Sequence, residues 1–211
     1  MSDVEIKIGK SDALVIIDAQ KDFINSDGAH YVAGVNGEPT AQEVVDRIVR
    51  LARLSFGLIV TTQDKHPFDD HIEYQIFGGK HCTRLTDGQK YHQDLLDINE
   101  RKSFAISKGM HPALVSYTVA TSPAFGDSIA ELRRNEIKRI FLCGWAYTHC
   151  VGESAIDYAR QGFEVYVLRD VTRSVPPPYG NPDVMDEKLR LYGVKLVYNT
   201  ITPLMDDDGD D

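Results

Sequence analysis

Three side chains able to carry out nucleophilic chemistry stand at or just beyond short apolar runs of this 211-residue chain: Asp18 in VIIDAQKDF, Lys108 in FAISKG and Cys150 in FLCGWAYTHC. A cysteine at a helix start gains thiolate character from the helix N-terminus, and a nearby lysine lowers its pKa further. Such a thiol also needs a base, and Asp18 suits that role if burial raises its own pKa. Singly, each residue has a plainer reading. Strand-end aspartates bond turn amides, lysines near turns are solvated, and cysteines pack cores, as Cys143 is expected to do. The combination points to chemistry at a thiol.

A second group lies in QDKHPFDDH and GGKHC: Asp64, His66, His71 and His81. Imidazole and carboxylate together suit zinc, iron(II) or manganese, and an Asp-x-His pair leaving a strand places two donors on one side of the turn. Four such donors within eighteen residues point to a divalent ion, which Asp64, His66 and His81 could hold between them. His71 is a further ligand or a group supporting the others.

The elements that must position these groups follow from the apolar pattern. Brief runs rich in β-branched residues predict strands at Ala13–Ile17, Leu58–Thr62, Phe104–Ile106, Arg139–Cys143, Val165–Leu168 and Val194–Val197, with helices between most of them. Thr40 and Glu43 form a capping-box pattern ahead of a helix to about Leu54. Asp127 caps a second helix through Arg134. A third, marked by Val151, Ala155, Tyr158 and Ala159, stops at Gly162, and a fourth runs from Asp183 to Tyr192 before Gly193. Strand and helix alternation predicts an α/β/α sandwich around a six-stranded, mainly parallel sheet. In such sheets ligands bind beyond the carboxyl ends of the strands, where Asp18, Asp64, Lys108 and Cys150 all fall. The long segment from Gln63 to Ser103 has little regular pattern but holds four of the seven histidines, which favours function over mere connection.

Composition narrows the classes. Hydrophobic residues at 42% and charged residues at 26% are ordinary globular values. One domain over residues 1–205 is expected, followed by a disordered acidic tail, residues 206–211, with five aspartates. The net charge of −9 and the lack of a basic stripe argue against nucleic acid. No apolar stretch suggests a secretory signal or a membrane span, and three cysteines make no disulfide framework, so a reducing, cytoplasmic setting is expected.

Five motifs in order, D-x-Q-x-D-F from Asp18, Q-D-x-H-P from Gln63, His81-Cys82, Lys108-Gly109 and G-W-A-Y-T-H-C-V from Gly144, resemble the nicotinamidase/pyrazinamidase branch of the isochorismatase-like cysteine hydrolases. The resemblance spans nearly the whole chain. It implies a catalytic triad of Asp18, Lys108 and Cys150, and a divalent metal held by Asp64, His66 and His81. It further implies a cis peptide between Trp145 and Ala146 and an oxyanion hole from the N–H groups of Ala146 and Cys150. Phe23 and Tyr117 would sandwich a pyridine ring, with Trp145 completing the pocket. Phe77 would stand in for the tryptophan that family members carry before the His-Cys pair, since the segment here reads Phe77-Gly78-Gly79-Lys80. The implied substrates are nicotinamide and pyrazinamide, and many members self-associate. Alternatives are a metal-independent amidase or carbamoyl hydrolase of the same fold, and a catalytically silent metal-binding module.

Overall fold

The computed structural model describes residues 6–100, 103–198 and 204–206. Its centre is a six-stranded sheet built from β2 (Asp12–Ile17), β3 (Leu58–Asp64), β4 (Ser103–Lys108), β5 (Arg139–Trp145), β6 (Glu164–Arg173) and β7 (Lys195–Val197). The spatial order is β4-β3-β2-β5-β6-β7, and every pairing is parallel. Two strands outside the expected set, β1 (Ile6–Ile8) and β8 (Leu204–Asp206), form a separate parallel pair. Asp206 therefore pairs with Ile8 rather than opening the tail, and the rest of that tail lies outside the described residues.

Both faces of the sheet are covered, which is why its strands read as continuous apolar runs. Alternation along the strands divides the core in two. After the short helix α1 (Lys21–Ile24), α2 (Ala41–Leu51) covers Leu14, Ile16, Phe141, Cys143 and Trp145, and its Val44, Val45 and Ile48 are fully buried. Ala13, Val15, Ile17, Ile140 and Leu142 face α4 (Phe125–Arg134), α5 (Gly152–Arg160) and α6 (Pro182–Leu191). The capping box forms as expected: Thr40 Oγ1 accepts from Glu43 N at 3.3 Å and Thr40 N donates to Glu43 Oε2 at 2.7 Å. Helix α2 ends at Leu51, short of Leu54. Asp127 is not a cap. It lies in the first turn of α4, which begins at Phe125, where its charge meets the helix N-terminus. Asn181 caps α6 through bonds from Asp183 N and Val184 N, and Gly162 and Gly193 adopt the left-handed conformation after their helices.

Strands β3 and β4 run further than expected, so Asp64 and Lys108 are strand residues and direct register partners. That pairing puts the carboxylate and the ammonium on one face. The segment after Asp64 also holds structure: the short helix α3 (Ile72–Phe77) and a 3-10 stretch, Gln93–Glu100.

Candidate active site

Asp18 leaves β2 with φ at +43°, a left-handed conformation that aspartate tolerates better than most residues. Thr62, on β3, holds it there. Its Oγ1 accepts from Asp18 N at 3.0 Å and donates to Asp18 Oδ1 at 2.6 Å. The other oxygen, Oδ2, lies 2.8 Å from Lys108 Nζ as an ion pair and has no directed hydrogen bond. Lys108 Nζ also donates to Asp64 Oδ1 at 2.6 Å and to Cys150 Sγ at 3.5 Å. Asp18, Asp64, Lys108 and Cys150 are all buried. The three residues of the expected triad thus meet around one ammonium.

Cys150 sits in a wide turn, Tyr147–Val151, that leads into α5. Ala146 O accepts from His149 N at 3.0 Å and Val151 N at 3.1 Å, so one carbonyl ties down the backbone on both sides of the thiol. The peptide between Trp145 and Ala146 is cis, as the resemblance implied. Upstream, Gly144 has φ at +108°, and a Cβ there would come within 2.1 Å of Ile17 O, so only glycine lets β5 pass this close to β2.

Burial governs the titrations. It raises Asp18 to about 6 against the opposing pull of Lys108. It pushes the Cys150 thiol well up, and the nearby Lys108 offsets this only in part. The expected lowering of the thiol pKa does not occur, because the desolvation cost of a thiolate exceeds what one shared ammonium returns. The resting pair is a neutral thiol beside a carboxylate of raised basicity. Burial alone would depress Lys108, but Asp18 and Asp64 hold it well above the usual lysine range.

Next to the triad lies a cluster of donors. His66 Nε2 is 4.0 Å from Asp64 Oδ2 and 3.7 Å from Glu73 Oε2, and His81 Nε2 is 4.0 Å from the same Glu73 oxygen. The rings are oriented by their other nitrogens, with His66 Nδ1 3.0 Å from Gly109 O and His81 Nδ1 3.2 Å from Gly79 O. A carbonyl can only accept, so Nδ1 carries the proton in each ring and Nε2 is left bare. His66 Nε2 is buried with no partner, as expected of a nitrogen built to receive a cation. Two imidazoles with two carboxylates fit a divalent ion of the zinc, iron(II) or manganese kind.

His71 also comes close, since ligand atoms of His66, His71 and Glu73 lie within 4.8 Å of one another. Its Nδ1 accepts from Glu73 N at 3.2 Å and caps α3, while its Nε2, like that of His66, is buried with no hydrogen-bond partner. His71 thus positions α3 and also stands beside the cluster as a further candidate ligand.

The adjoining cleft is lined by Phe23, His30, Val32, Phe77, Tyr117, Ala146, His149, Cys150 and Val175, with Asp64, Glu73 and His81 at one end. Phe77 packs against Tyr117 and His81, with ring centroids 6.0 and 5.9 Å away. Trp145 does not line the cleft. It is fully buried in the core with Phe141 and Cys143, the residues of the same parity on β5, so its ring goes to the α2 side of the sheet.

The family model of the isochorismatase domain matches residues 12–181, most of the chain. The chain belongs to the isochorismatase family. Among curated proteins this isochorismatase-family chain is similar to a nicotinamidase of Acinetobacter baylyi, with 26% identity over 197 residues, 83% of this chain and 87% of the relative. Among solved structures it resembles PnC1 from L. infantum in complex with nicotinate, at TM-score 0.81 and 27% identity, covering 97% of this chain and 100% of that one. It also resembles a pyrazinamidase of Pyrococcus horikoshii in complex with zinc, at TM-score 0.71 and 29% identity, covering 89% and 99%.

Within this family frame the sequence reading missed two groups. Glu73 lies in the charged-looking run DDHIEY, yet it is buried and its Oε1 accepts from Ser116 N at 2.7 Å and Ser116 Oγ at 2.8 Å. Gln20, quoted in the first motif without a role, holds the Asp64 peptide from both sides. It accepts from Asp64 N at 2.8 Å and donates to Asp64 O at 2.9 Å.

Proposed function

We propose that the chain is a nicotinamidase, hydrolysing nicotinamide to nicotinate and ammonia in pyridine nucleotide salvage. The observation that carries this reading is the lysine ammonium placed 2.8 Å from Asp18 and 3.5 Å from Cys150, beside a donor cluster at the end of an aromatic cleft.

In this reading the Cys150 thiol passes its proton to Asp18 as sulfur attacks the carboxamide carbon. The N–H groups of Ala146 and Cys150 receive the developing oxyanion. Asp18 returns the proton to the amide nitrogen, the C–N bond breaks, ammonia departs and a thioester remains. Water then attacks the thioester with Asp18 taking its proton, and the carbon–sulfur bond breaks to free nicotinate and the thiol. Asp64, His66 and His81, with Glu73 beside them, would hold one divalent cation, zinc first. When bound, such a cation would supply Lewis-acid affinity for the pyridine nitrogen, which would help orient the carboxamide toward Cys150.

The test compares nicotinamide, pyrazinamide and benzamide on metal-loaded and chelator-treated protein. Benzamide keeps the carboxamide but lacks the ring nitrogen, and its specificity constant should fall roughly a hundredfold, about 3 kcal/mol. Pyrazinamide should remain a substrate. Equal turnover of benzamide, or full activity after verified metal removal, would favour a metal-independent amidase of the same fold.

A further inference from the structure

Apart from the groups at its metal end, the cleft has two imidazoles on its lining, His30 and His149. His149 Nδ1 is engaged by Thr148 Oγ1 at 3.0 Å. His30 differs, because neither of its ring nitrogens has a hydrogen-bond partner among the described residues. Yet the ring is firmly held. It stacks on His81 with centroids 4.7 Å apart and planes at 27°, meets Phe77 at 4.7 Å, and stands edge-on to Phe23 at 6.1 Å. His30 therefore lines the cleft with a ring held by packing and with both nitrogens uncommitted, beside the apolar Phe23, Val32 and Phe77. A hydrogen bond made by a group already fixed by packing costs little further ordering on binding, so such a group discriminates between ligands.

We infer that His30 is a specificity-determining residue, selecting pyridine carboxamides that carry a hydrogen-bonding substituent on the ring edge facing the metal end of the cleft. The inference rests on the nicotinamidase reading, which puts the carboxamide at Cys150 and the ring nitrogen beside His81. Position 6 of the ring, next to that nitrogen and remote from the carboxamide, is then the edge nearest His30, with position 5 adjoining it. Amino and hydroxyl groups there would exchange water for a preset imidazole. Methyl groups would leave the imidazole nitrogens facing apolar surface.

The experiment measures kcat/KM for nicotinamide, 5- and 6-aminonicotinamide and the matching methylnicotinamides on the metal-loaded protein. The readout is the amino-to-methyl ratio at each position. It should exceed about tenfold at one position in the unaltered protein and fall about tenfold in His30→Phe, mainly through KM. His30→Phe keeps the ring contacts and removes the nitrogens, while His30→Gln should restore part of the ratio. If the unaltered protein prefers methyl at both positions, or the ratio is the same in His30→Phe, the inference is overturned, and the first of these outcomes needs no variant to fold. Failure of the unaltered protein to release ammonia from nicotinamide would overturn the nicotinamidase reading and this inference with it.

Discussion

Lys108 Nζ lies closer to Asp64, at 2.6 Å, than to Asp18, at 2.8 Å. One ammonium thus neutralises both the candidate base and a candidate metal ligand, and the β3–β4 register sets the closer partner directly beside it. Lys108→Met should therefore damage more than catalysis. Two buried carboxylates would lose their shared counter-charge, with a cost in stability of about 3–5 kcal/mol. Thermal unfolding and ammonia release should both fall sharply, and a variant with unchanged melting would show that the ion pair is not stabilising.

The acid limb of activity should report Asp18. Burial raises its pKa from 3.8 to about 6, and only the ionised form can take the thiol proton. The value of kcat/KM should accordingly drop as pH falls through about 6 and level off above it. Asp18→Asn should remove nearly all activity. A limb left near 4 would mean that another group is the base.

Alkylation should single out Cys150. All three cysteines are buried and burial raises each thiol pKa, but Cys150 lines the cleft, whereas Cys82 and Cys143 are fully enclosed. Mass spectrometry after mild iodoacetamide treatment should find one adduct, on Cys150, with loss of activity and protection by nicotinamide. Cys150→Ala should abolish turnover while keeping the fold. If Cys82→Ala were equally inactive with its fold intact, the assignment of the nucleophile would be wrong.

Gln20→Leu tests positioning. The change leaves Asp64 N and O without their partners, costing about 1–3 kcal/mol, and frees the ligand strand to shift. Metal affinity should fall about 10–100-fold, as when other groups supporting metal ligands are removed. Competition with a chromophoric chelator measures this directly, and unaltered affinity would count against the role.

Much of the site could be read from the chain because strand ends are written in its apolar runs. Once VII, LIV, FAI and FLC are parallel strands, Asp18, Asp64, Lys108 and Cys150 must gather at their carboxyl ends, and they do. The side of a strand was also legible in principle, since Phe141, Cys143 and Trp145 share one parity, and that parity sends Trp145 into the core. Other features depend on contacts between distant segments. Glu73 becomes a buried partner of the histidines only because α3 docks where Ser116 can bond its carboxylate, and nothing in DDHIEY encodes Ser116. The stacking of His30 on His81 joins residues far apart in sequence. The titration of Cys150 was likewise decided by tertiary structure. A helix start and a lysine argue for a thiolate, but desolvation depends on everything packed around the sulfur, and here it outweighs both.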